Sequence, residues 1–307
     1  MSKVAVLLAT YNGEKYIEEQ LDSIINQTYK DFVCYIHDDG SKDSTLRICE
    51  SYEKHYPGTI CNLKYESTGG AKNNFFSLMK RVDADYFLFC DQDDVWLPNR
   101  IEKMMNALED VDDDFLAFSD LKIVDEKLNV LSDSFYDSNH INPATIDYKN
   151  ALIKGYIPGC AMMASRKLIE KALSFHNSES IKMHDWWIVL TAFMTDSRLI
   201  FVNESLSLYR QHSNNTIGAK NLSTIDRIVF NVKRVFSGTL KAEKKNNLET
   251  PRVQAKEMYD CGIGSDEKRL FVKEFAEIGS RNKISRICFY IRNFHNVHRL
   301  WWMVIWA

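Results

Sequence analysis

Residues 4–45, VAVLLATYNGEKYIEEQLDSIINQTYKDFVCYIHDDGSKDST, decide the fold of this 307-residue chain. Two runs in this stretch, Val4 to Ala9 and Phe32 to His37, are short and apolar, with β-branched and aromatic residues that favour buried strands. Between them the apolar residues have helical spacing, and they are Ile17, Leu21, Ile24 and Ile25. A strand, a helix and a second strand in this order predict a βαβ crossover in a parallel sheet.

The rest of the first two thirds of the chain continues this alternation. Further strand candidates are Cys61 to Glu66, Asp85 to Cys90, Phe115 to Ser119 and Leu199 to Val202. We expect Ser41 or Asp43 to cap one helix, and Pro98 to lie in the first turn of another. The pattern predicts an α/β fold whose mostly parallel central sheet binds ligands at the carboxyl ends of its strands.

Composition and charge exclude several classes of protein. With 45% apolar and 26% charged residues the chain resembles ordinary globular proteins, and its net charge of −3 is unsuited to bulk nucleic-acid binding. The seven cysteines have no metal-binding spacing, which favours a reducing compartment. We read no secretion signal at the start and expect a cytoplasmic protein.

A cluster of acidic residues follows one strand candidate. Residues 87–98, FLFCDQDDVWLP, place three carboxylates within four positions, at Asp91, Asp93 and Asp94. Such clustering is unfavourable unless a cation offsets the repulsion, and a divalent ion completed by substrate phosphates would do so. The alternative is a solvated acidic turn or a helix N-terminus, and Asp94 suits a helix cap equally well.

The chain resembles the family 2 glycosyltransferases of the GT-A fold over roughly its first 215 residues. The resemblance rests on three motifs in this order: residues 4–45, DQDDVWLP and HDWW. Within that family the chain is similar to bacterial rhamnosyltransferases of surface-polysaccharide assembly. The resemblance implies a Rossmann-like nucleotide-sugar-binding domain and a divalent cofactor, Mn²⁺ or Mg²⁺. The donor would be a nucleotide sugar, and the acceptor a glycan or a polyprenyl-diphosphate-linked glycan.

The resemblance also implies a nucleotide site. Ala9, Thr10 and Tyr11 would contact the base and ribose, and Asp39 would accept a hydrogen bond from the imide N–H of uracil or thymine. An ionised carboxylate only accepts, so it suits these bases better than cytosine. A contact to the diphosphate is expected from the stretch that contains Lys72, Asn73 and Asn74, of which Asn74 is our candidate.

The implied metal site draws on two distant stretches of the chain. Asp93 would bind the metal, and Asp91 would hold the ribose or metal-bound water. In the YRQH stretch, His212 would complete the metal site or contact the diphosphate, because neutral imidazole can join oxygen ligands around a divalent ion. Arg210 of the same stretch would pair with phosphate.

The catalytic base is expected in HDWW. The family has an acidic pair here, and His184 replaces its first member, which leaves Asp185 as the candidate base in an inverting displacement. Trp187 is more typical of a core residue than of a sugar-stacking wall. The role of His184 stays open.

Three other functions compete with a transferase that uses dTDP-rhamnose. One is a transferase of the same family that uses a UDP-hexose. Another is a nucleotidyltransferase, but a glycine-rich basic loop is expected after its first strand, where this chain has ATYNGEKY. The last is an inactive transferase-like scaffold of a polysaccharide-assembly complex, for which loss of the acidic residues or the base would be the signature.

We place a domain boundary near Gly218, between a catalytic region, residues 1–218, and a helical, basic region, residues 219–307. In the stretch from Ile284 to Ala307, apolar residues alternate with arginines at 286, 292 and 299. This pattern predicts a helix that lies on an anionic membrane surface at the inner face of the plasma membrane. The alternative is a helix that packs on the catalytic region or on a second subunit.

Overall fold

The computed structural model describes residues 3–108, 114–212 and 239–294, and in the last of these ranges it describes side chains from residue 249 onward. Helices cover both faces of one sheet. The strands are β1 (Val4–Thr10), β2 (Phe32–Asp38), β3 (Ile60–Asn62), β4 (Tyr86–Cys90), β5 (Val95–Trp96), β6 (Phe115–Val124), β7 (Val130–Ser132), β8 (Met162–Ser165) and β9 (Arg198–Arg210). The helices are α1 (Ile17–Ile25), α2 (Thr45–His55), α3 (Ala71–Arg81), α4 (Arg100–Asn106), α5 (Phe135–Ser138), α6 (Tyr148–Ile153), α7 (Arg166–Ala172), α8 (His184–Met194), α9 (Thr239–Asp260), α10 (Asp266–Glu277) and α11 (Lys283–Asn293).

The sheet order is β3-β2-β1-β4-β8-β6-β9-β5, and β7 pairs with β6. Strands β3, β2, β1 and β4 are parallel, as the βαβ pattern predicts. Strand β8 is antiparallel to both of its neighbours, β4 and β6. Beyond it, β6 and β9 are again parallel. The prediction of a mostly parallel α/β sheet is confirmed, and the antiparallel insertion of β8 was missed.

Alternating side chains on the central strands form the two layers of the core. On β1, Val4, Val6 and Leu8 face the layer of α1, α2 and α4, whereas Ala5 and Leu7 face the layer of α3, α8 and the C-terminal helices. The strand is therefore apolar on both faces. This explains why its sequence reads as a continuous apolar run.

Some predicted boundaries were wrong. The candidate strand Cys61 to Glu66 is shorter and begins earlier, as β3. Helix α4 begins two residues after Pro98, and α2 begins after Ser44. Asp43 is not the cap residue of α2, although its carboxylate accepts the backbone N–H of Thr45.

The C-terminal helices share the core of the sheet. Ala255 and Met258 of α9, Phe275 of α10 and Phe289 of α11 belong to the same buried cluster as Phe87 of β4. Full burial of a methionine or phenylalanine side chain stabilises the fold by about 1.5–3 kcal/mol. The prediction of a helical C-terminal region is confirmed, while the boundary near residue 218 lies outside the described residues. In the part of the chain that is described, no helix is long and apolar enough to cross a membrane.

Candidate active site

The carboxyl ends of β1, β2 and β4 meet at one edge of the sheet. Thr10 is in register with Asp38, and its hydroxyl donates to the Asp38 carboxylate at 3.0 Å. Asp38 also accepts the N–H of Gly40 and Ser41, at 3.1 and 2.8 Å, and so closes the turn after β2. Asp38 is therefore a turn-forming residue, and Asp39 follows it at the carboxyl end of β2.

Asp39 is held by the loop that precedes α3. Its Oδ1 accepts hydrogen bonds from Ser67 and Thr68, and its Oδ2 accepts the N–H of Gly70 at 2.6 Å. Burial raises the pKa of Asp39, but the hydrogen bonds from Thr68 and Gly70 outweigh it and the net direction is downward. Asp39 is therefore an ionised acceptor, and its Oδ2 keeps one lone pair.

Tyr11 presents an exposed ring over this edge, with 55% of its surface accessible, while Thr10 is buried and Ala9 half-buried. The main chain of Tyr11 is clamped by the amide of Gln92, which accepts its N–H at 2.9 Å and donates to its C=O at 3.0 Å. A side chain at Gly13 would collide with Gln92, because a Cβ there would lie 2.3 Å from Oε1. Sequence reasoning missed Gln92, although it lies inside the DQDD motif.

The acidic cluster after β4 is tightly packed. Asp91, Asp94 and Cys160 each bring one ligand atom within 4.8 Å of the others. Removal from water and the negative charges of Asp93 and Asp185 raise the pKa of Asp91 to about 7. Burial likewise raises the pKa of Asp94. Asp94 is thus not a helix cap, since its Oδ1 accepts the N–H of Arg210 at 3.0 Å.

Strand β9 carries Arg210 and His212 to this cluster. The Nε2 of His212 lies 2.8 Å from Asp93 Oδ2, and its ring stacks on Tyr16 with centroids 4.9 Å apart. The guanidinium of Arg210 donates to the carbonyl oxygens of Asp93 and Glu126 at 2.8 and 2.7 Å and pairs with Glu19. The predicted meeting of Asp93 and His212 is present, whereas Arg210 is buried under the cluster.

A buried arginine that sequence reasoning missed lies beside the carboxylates. Arg100 donates to Ser207 and to the carbonyl of Cys160, and it stacks on Trp96 at 4.2 Å. Its charge lowers the pKa of Asp91, but less than burial raises it. No pattern in the sequence distinguishes Arg100 from the surface arginine expected at the start of an amphipathic helix.

Asp185 lies in the first turn of α8. Its Oδ2 accepts the N–H of Gly159 at 3.2 Å, and its charge acts on Asp91 across the cleft. Gly159 is needed for this approach, because a Cβ there would lie 3.2 Å from the Cβ of Asp185. The structure therefore brings Asp185 and the acidic cluster to the same cleft.

Comparisons with known proteins agree with this architecture. A family model described as Glycosyl transferase family 2 matches residues 5–172. The chain belongs to this family. It is 36% identical to the dTDP-rhamnosyl transferase RfbG of Shigella flexneri, over 69% of this chain and 74% of that protein. It is also 30% identical to an uncharacterized glycosyltransferase, RP339, of Rickettsia prowazekii (strain Madrid E), over 80% and 74%.

Two solved glycosyltransferase structures have a similar fold. One is S. aureus TarS 1–349 in complex with UDP, at a TM-score of 0.58 and 17% identity, covering 94% of this chain and 75% of that one. The other is the mannosyltransferase PcManGT of Pyrobaculum calidifontis in complex with GDP-Man and Mn²⁺. Its TM-score is 0.55 and its identity 15%, with 92% and 71% covered.

In this family 2 glycosyltransferase, three residues expected near the diphosphate are bonded to the protein. Asn74 is buried, and its amide bonds the ring Nδ1 of His37 at 2.8 Å and the His37 carbonyl at 3.0 Å. Lys72 donates to the carbonyls of Ser178 and Ile181, and Asn73 to that of Thr68. Asn74 therefore positions β2, with both ends of its amide bonded to His37.

His184 and the two tryptophans complete the surroundings of Asp185. Burial lowers the pKa of His184 to about 4, so its ring is neutral, and it stacks on Phe75 with centroids 4.0 Å apart. Trp187 is fully buried and donates to the carbonyl of Ala172, as the core interpretation predicts. Trp186 is only half-buried.

The donor set of the acidic cluster fits a hard divalent cation. Asp91, Asp93 and Asp94 offer carboxylate oxygens and His212 offers an imidazole nitrogen, a combination that suits Mn²⁺ and Mg²⁺. The Oδ2 of Asp94 is buried and accepts no hydrogen bond within the described residues. The raised pKa values of Asp91 and Asp94 reflect burial and mutual repulsion that a bound cation would offset.

Proposed function

We propose that the protein is a metal-dependent inverting rhamnosyltransferase that transfers L-rhamnose from dTDP-rhamnose to a hydroxyl of a glycan or lipid-linked acceptor in bacterial surface-polysaccharide synthesis. One observation carries the proposal: Asp185 accepts the N–H of Gly159, and the next residue, Cys160, lies with its thiol within 4.8 Å of a carboxylate oxygen of Asp91 and of Asp94. At this separation the charge of Asp185 also raises the pKa of Asp91. A base and an anion-neutralising centre are what a direct displacement needs.

Asp185 acts as the base. Its carboxylate is oriented by the N–H groups of Gly159 and Trp186, at 3.2 and 2.6 Å, and it accepts the proton of the acceptor hydroxyl. The acceptor oxygen forms its bond to the anomeric carbon while the bond from that carbon to the diphosphate oxygen breaks. The nucleoside diphosphate leaves with the bonding electrons, and the configuration at carbon inverts.

Asp93 and His212 would hold the divalent cation, with Asp91 beside them, and the buried Arg210 orients both residues through the Asp93 carbonyl and the main chain of β9. When bound, the cation offsets the negative charge of the departing diphosphate. A transferase that forms a covalent intermediate would need a nucleophilic side chain on the opposite face of the sugar. The direct displacement proposed for this protein does not need one.

The nucleotide preference rests on Asp39. The free lone pair of its Oδ2 would accept the imide N–H of thymine or uracil, while the exposed ring of Tyr11 would stack on the base. The similarity to the S. flexneri dTDP-rhamnosyl transferase favours dTDP-rhamnose over UDP-hexoses.

The test is a panel of nucleotide sugars offered to the full-length protein, with nucleoside-diphosphate release measured before and after chelation. Metal-dependent turnover of dTDP-rhamnose is the expected result. Preferred turnover of UDP-hexoses would support the second candidate, and preference for GDP or CMP sugars would contradict the role of Asp39. Absence of turnover with any donor, together with no thermal shift by metal and dTDP, would support an inactive scaffold.

We further propose that the C-terminal region docks on an anionic membrane. On α11 the exposed residues Ile284, Cys288 and Ile291 form one stripe, since they are spaced at i, i+4 and i+7. Exposed basic side chains, Lys283 and Arg292, border it. Apolar side chains flanked by cations are typical of a helix at a lipid surface, where a lipid-linked acceptor would also be.

A further inference from the structure

Outside the catalytic cleft, three side chains with metal-binding chemistry meet where α9 packs against the loop after α7. They are His176, Glu257 and Cys261, and one ligand atom of each lies within 4.8 Å of the others. His176 belongs to the loop that leads to α8, and Glu257 to the last turn of α9. The cluster shares no residue with the acidic cluster of the active site.

The main chain holds all three residues in place. The N–H of Cys261 donates to the carbonyl of Glu257 at 2.9 Å, a helical i to i−4 bond that puts both side chains on one face. The N–H groups of His176 and Asn177 donate to Glu257 Oε1 at 2.7 and 2.8 Å. The histidine is therefore anchored at the carboxylate by its own backbone.

Within the described part of the chain, the carboxylate of Glu257 forms no ion pair. This residue is only 6% exposed, and its Oε1 accepts the two backbone N–H groups and the thiol of Cys261 at 3.3 Å. Among the described residues no lysine or arginine forms an ion pair with it. A buried carboxylate usually pairs with a positive charge or a metal ion, and Glu257 Oε2 remains to bind one.

We propose that His176, Glu257 and Cys261 bind one Zn²⁺. Tetrahedral zinc with a sulfur at about 2.3 Å and an oxygen at about 2.0–2.2 Å separates these two ligands by about 3.5 Å. The Cys261 sulfur lies 3.3 Å from Oε1 of the carboxylate whose Oε2 would bind the ion, and one ligand atom of each of the three residues lies within 4.8 Å of the others. A set of thiolate, imidazole and carboxylate favours zinc over the oxygen-preferring Mg²⁺ and Mn²⁺. Because His176 is exposed, water can reach the site and supplies the fourth ligand.

Binding converts the Cys261 thiol to a thiolate and releases its proton to solvent. The ion then links α9 to the loop that leads to Asp185. That loop is already bonded to α9 at a second point, where Lys182 N–H donates to the Gln254 side chain at 3.0 Å. The zinc site thus stabilises the approach to the catalytic helix and does not depend on the sugar that the enzyme transfers.

The first experiment uses Co²⁺ as a probe on chelator-stripped, full-length protein. Cobalt bound to a thiolate gives a near-ultraviolet charge-transfer band. We expect this band at one equivalent in the wild type, in Asp93→Ala and in Cys160→Ser, whose thiol lies beside the active-site carboxylates. It should be absent from Cys261→Ser. A wild type without the band, or a Cys261→Ser variant that keeps it, overturns the proposal.

The second experiment follows the melting temperature with one equivalent of Zn²⁺. We expect Zn²⁺ to raise the melting temperature of Asp93→Ala, which lacks the proposed active-site ligand, and of Asp93→Ala combined with Cys288→Ser, whose thiol is exposed on α11, but not that of Asp93→Ala combined with His176→Ala. Because the His176 side chain is exposed, its removal leaves the core intact and separates loss of zinc from loss of folding. Equal zinc shifts in Asp93→Ala and in its combination with His176→Ala would overturn the proposed zinc site.

Discussion

His212 Nε2 and Asp93 Oδ2 lie 2.8 Å apart although 119 residues separate them in the chain. The contact exists because β9 is 13 residues long and pairs with β6 as far as Arg210. Its end therefore brings the YRQH stretch to the loop after β4. Both side chains are largely shielded from solvent, with 7% and 21% accessible. A cation held by Asp93 would therefore lie within reach of His212.

Asp93→Ala should abolish transfer and leave the fold intact, because the substitution removes a cation ligand from a polar site. Turnover against Mn²⁺ concentration and the metal-free melting temperature measure the two effects. Asp133→Ala is a matched control, which should retain full activity, since Asp133 is an exposed carboxylate that pairs with Lys122 on the surface. Near wild-type turnover of Asp93→Ala after chelation would contradict a role for metal.

Asp185→Asn should lower kcat by about a hundredfold to ten-thousandfold, the usual contribution of a general base, with little change in donor affinity. The amide keeps the size of the carboxylate but cannot take the acceptor proton. Single-turnover kinetics and donor titration separate the two quantities. Asp196→Asn on the surface serves as control. Lost donor binding with surviving turnover would make Asp185 a binding residue.

The sequence predicted the elements whose patterns are local. Strands β1, β2 and β4 appear in the sequence as apolar runs, so the edge of the sheet could be predicted. Asp91 and Asp93 directly follow β4, and Asp185 lies at the start of a helix, so these carboxylates could be predicted as well. Strand β8 is only four residues long, and its position between β4 and β6 depends on pairing with distant residues. Sequence periodicity contains no signal for such long-range pairing.

The residues that the sequence misplaced are those whose bonding partners are far away. Asn74 was the candidate for a contact to the diphosphate, but it is buried, and His37 bonds to both ends of its amide. Arg100 and Gln92 were missed for the same reason. Their roles depend on Cys160 and Tyr11, which only the folded chain brings near.

The contribution of Asp91 to the stability of the metal-free protein should fall as pH rises through the range from about 4 to 7. The pKa of Asp91 rises from 3.8 to about 7 on folding, so in this range the folded state binds a proton that the unfolded chain lacks. Burial lowers the pKa of His184 from 6.5 to about 4, and this contributes a slope of the opposite sign. The free energy of unfolding of the wild type minus that of Asp91→Asn should therefore decrease with pH.

Melting curves with a chelator, from about pH 5 to about pH 8, test this sign. Metal should reverse the trend, because it competes with the proton for Asp91 and binds more tightly as pH rises. An Asp91→Asn variant with the wild-type pH dependence would show that Asp91 is already ionised in the folded protein.

Gly13→Ala should weaken donor binding by about tenfold. The added Cβ would lie 2.3 Å from Gln92 Oε1, and Gln92 would have to move and release both hydrogen bonds to Tyr11. Two such bonds contribute about 0.5–1.5 kcal/mol each. Gln92→Ala should have the same effect, and the double variant should lose no more than either single one. Additive losses measured by donor titration would contradict this coupling.

The C-terminal docking surface can be tested without disturbing the core. Removing the chain from residue 284 onward would also remove Phe289, Tyr290 and Phe294, which are buried in the main core, so binding and folding would be lost together. A chain that ends at Phe294 keeps these contacts and lacks only residues 295–307. A second variant combines Ile284→Asp and Ile291→Asp, which place charges on the exposed stripe, where 76% and 56% of the residue surface is accessible.

We expect the full-length protein to sediment with anionic liposomes at low salt, and both variants to bind more weakly. Leu46→Asp is the matched control, because Leu46 is an exposed apolar residue of α2, outside the proposed surface, and its replacement should not change sedimentation. Equal sedimentation of all four proteins would place the membrane contact elsewhere. If the full-length protein stays in the supernatant and the double variant alone loses self-association, the stripe on α11 binds a second copy of the chain instead of lipid.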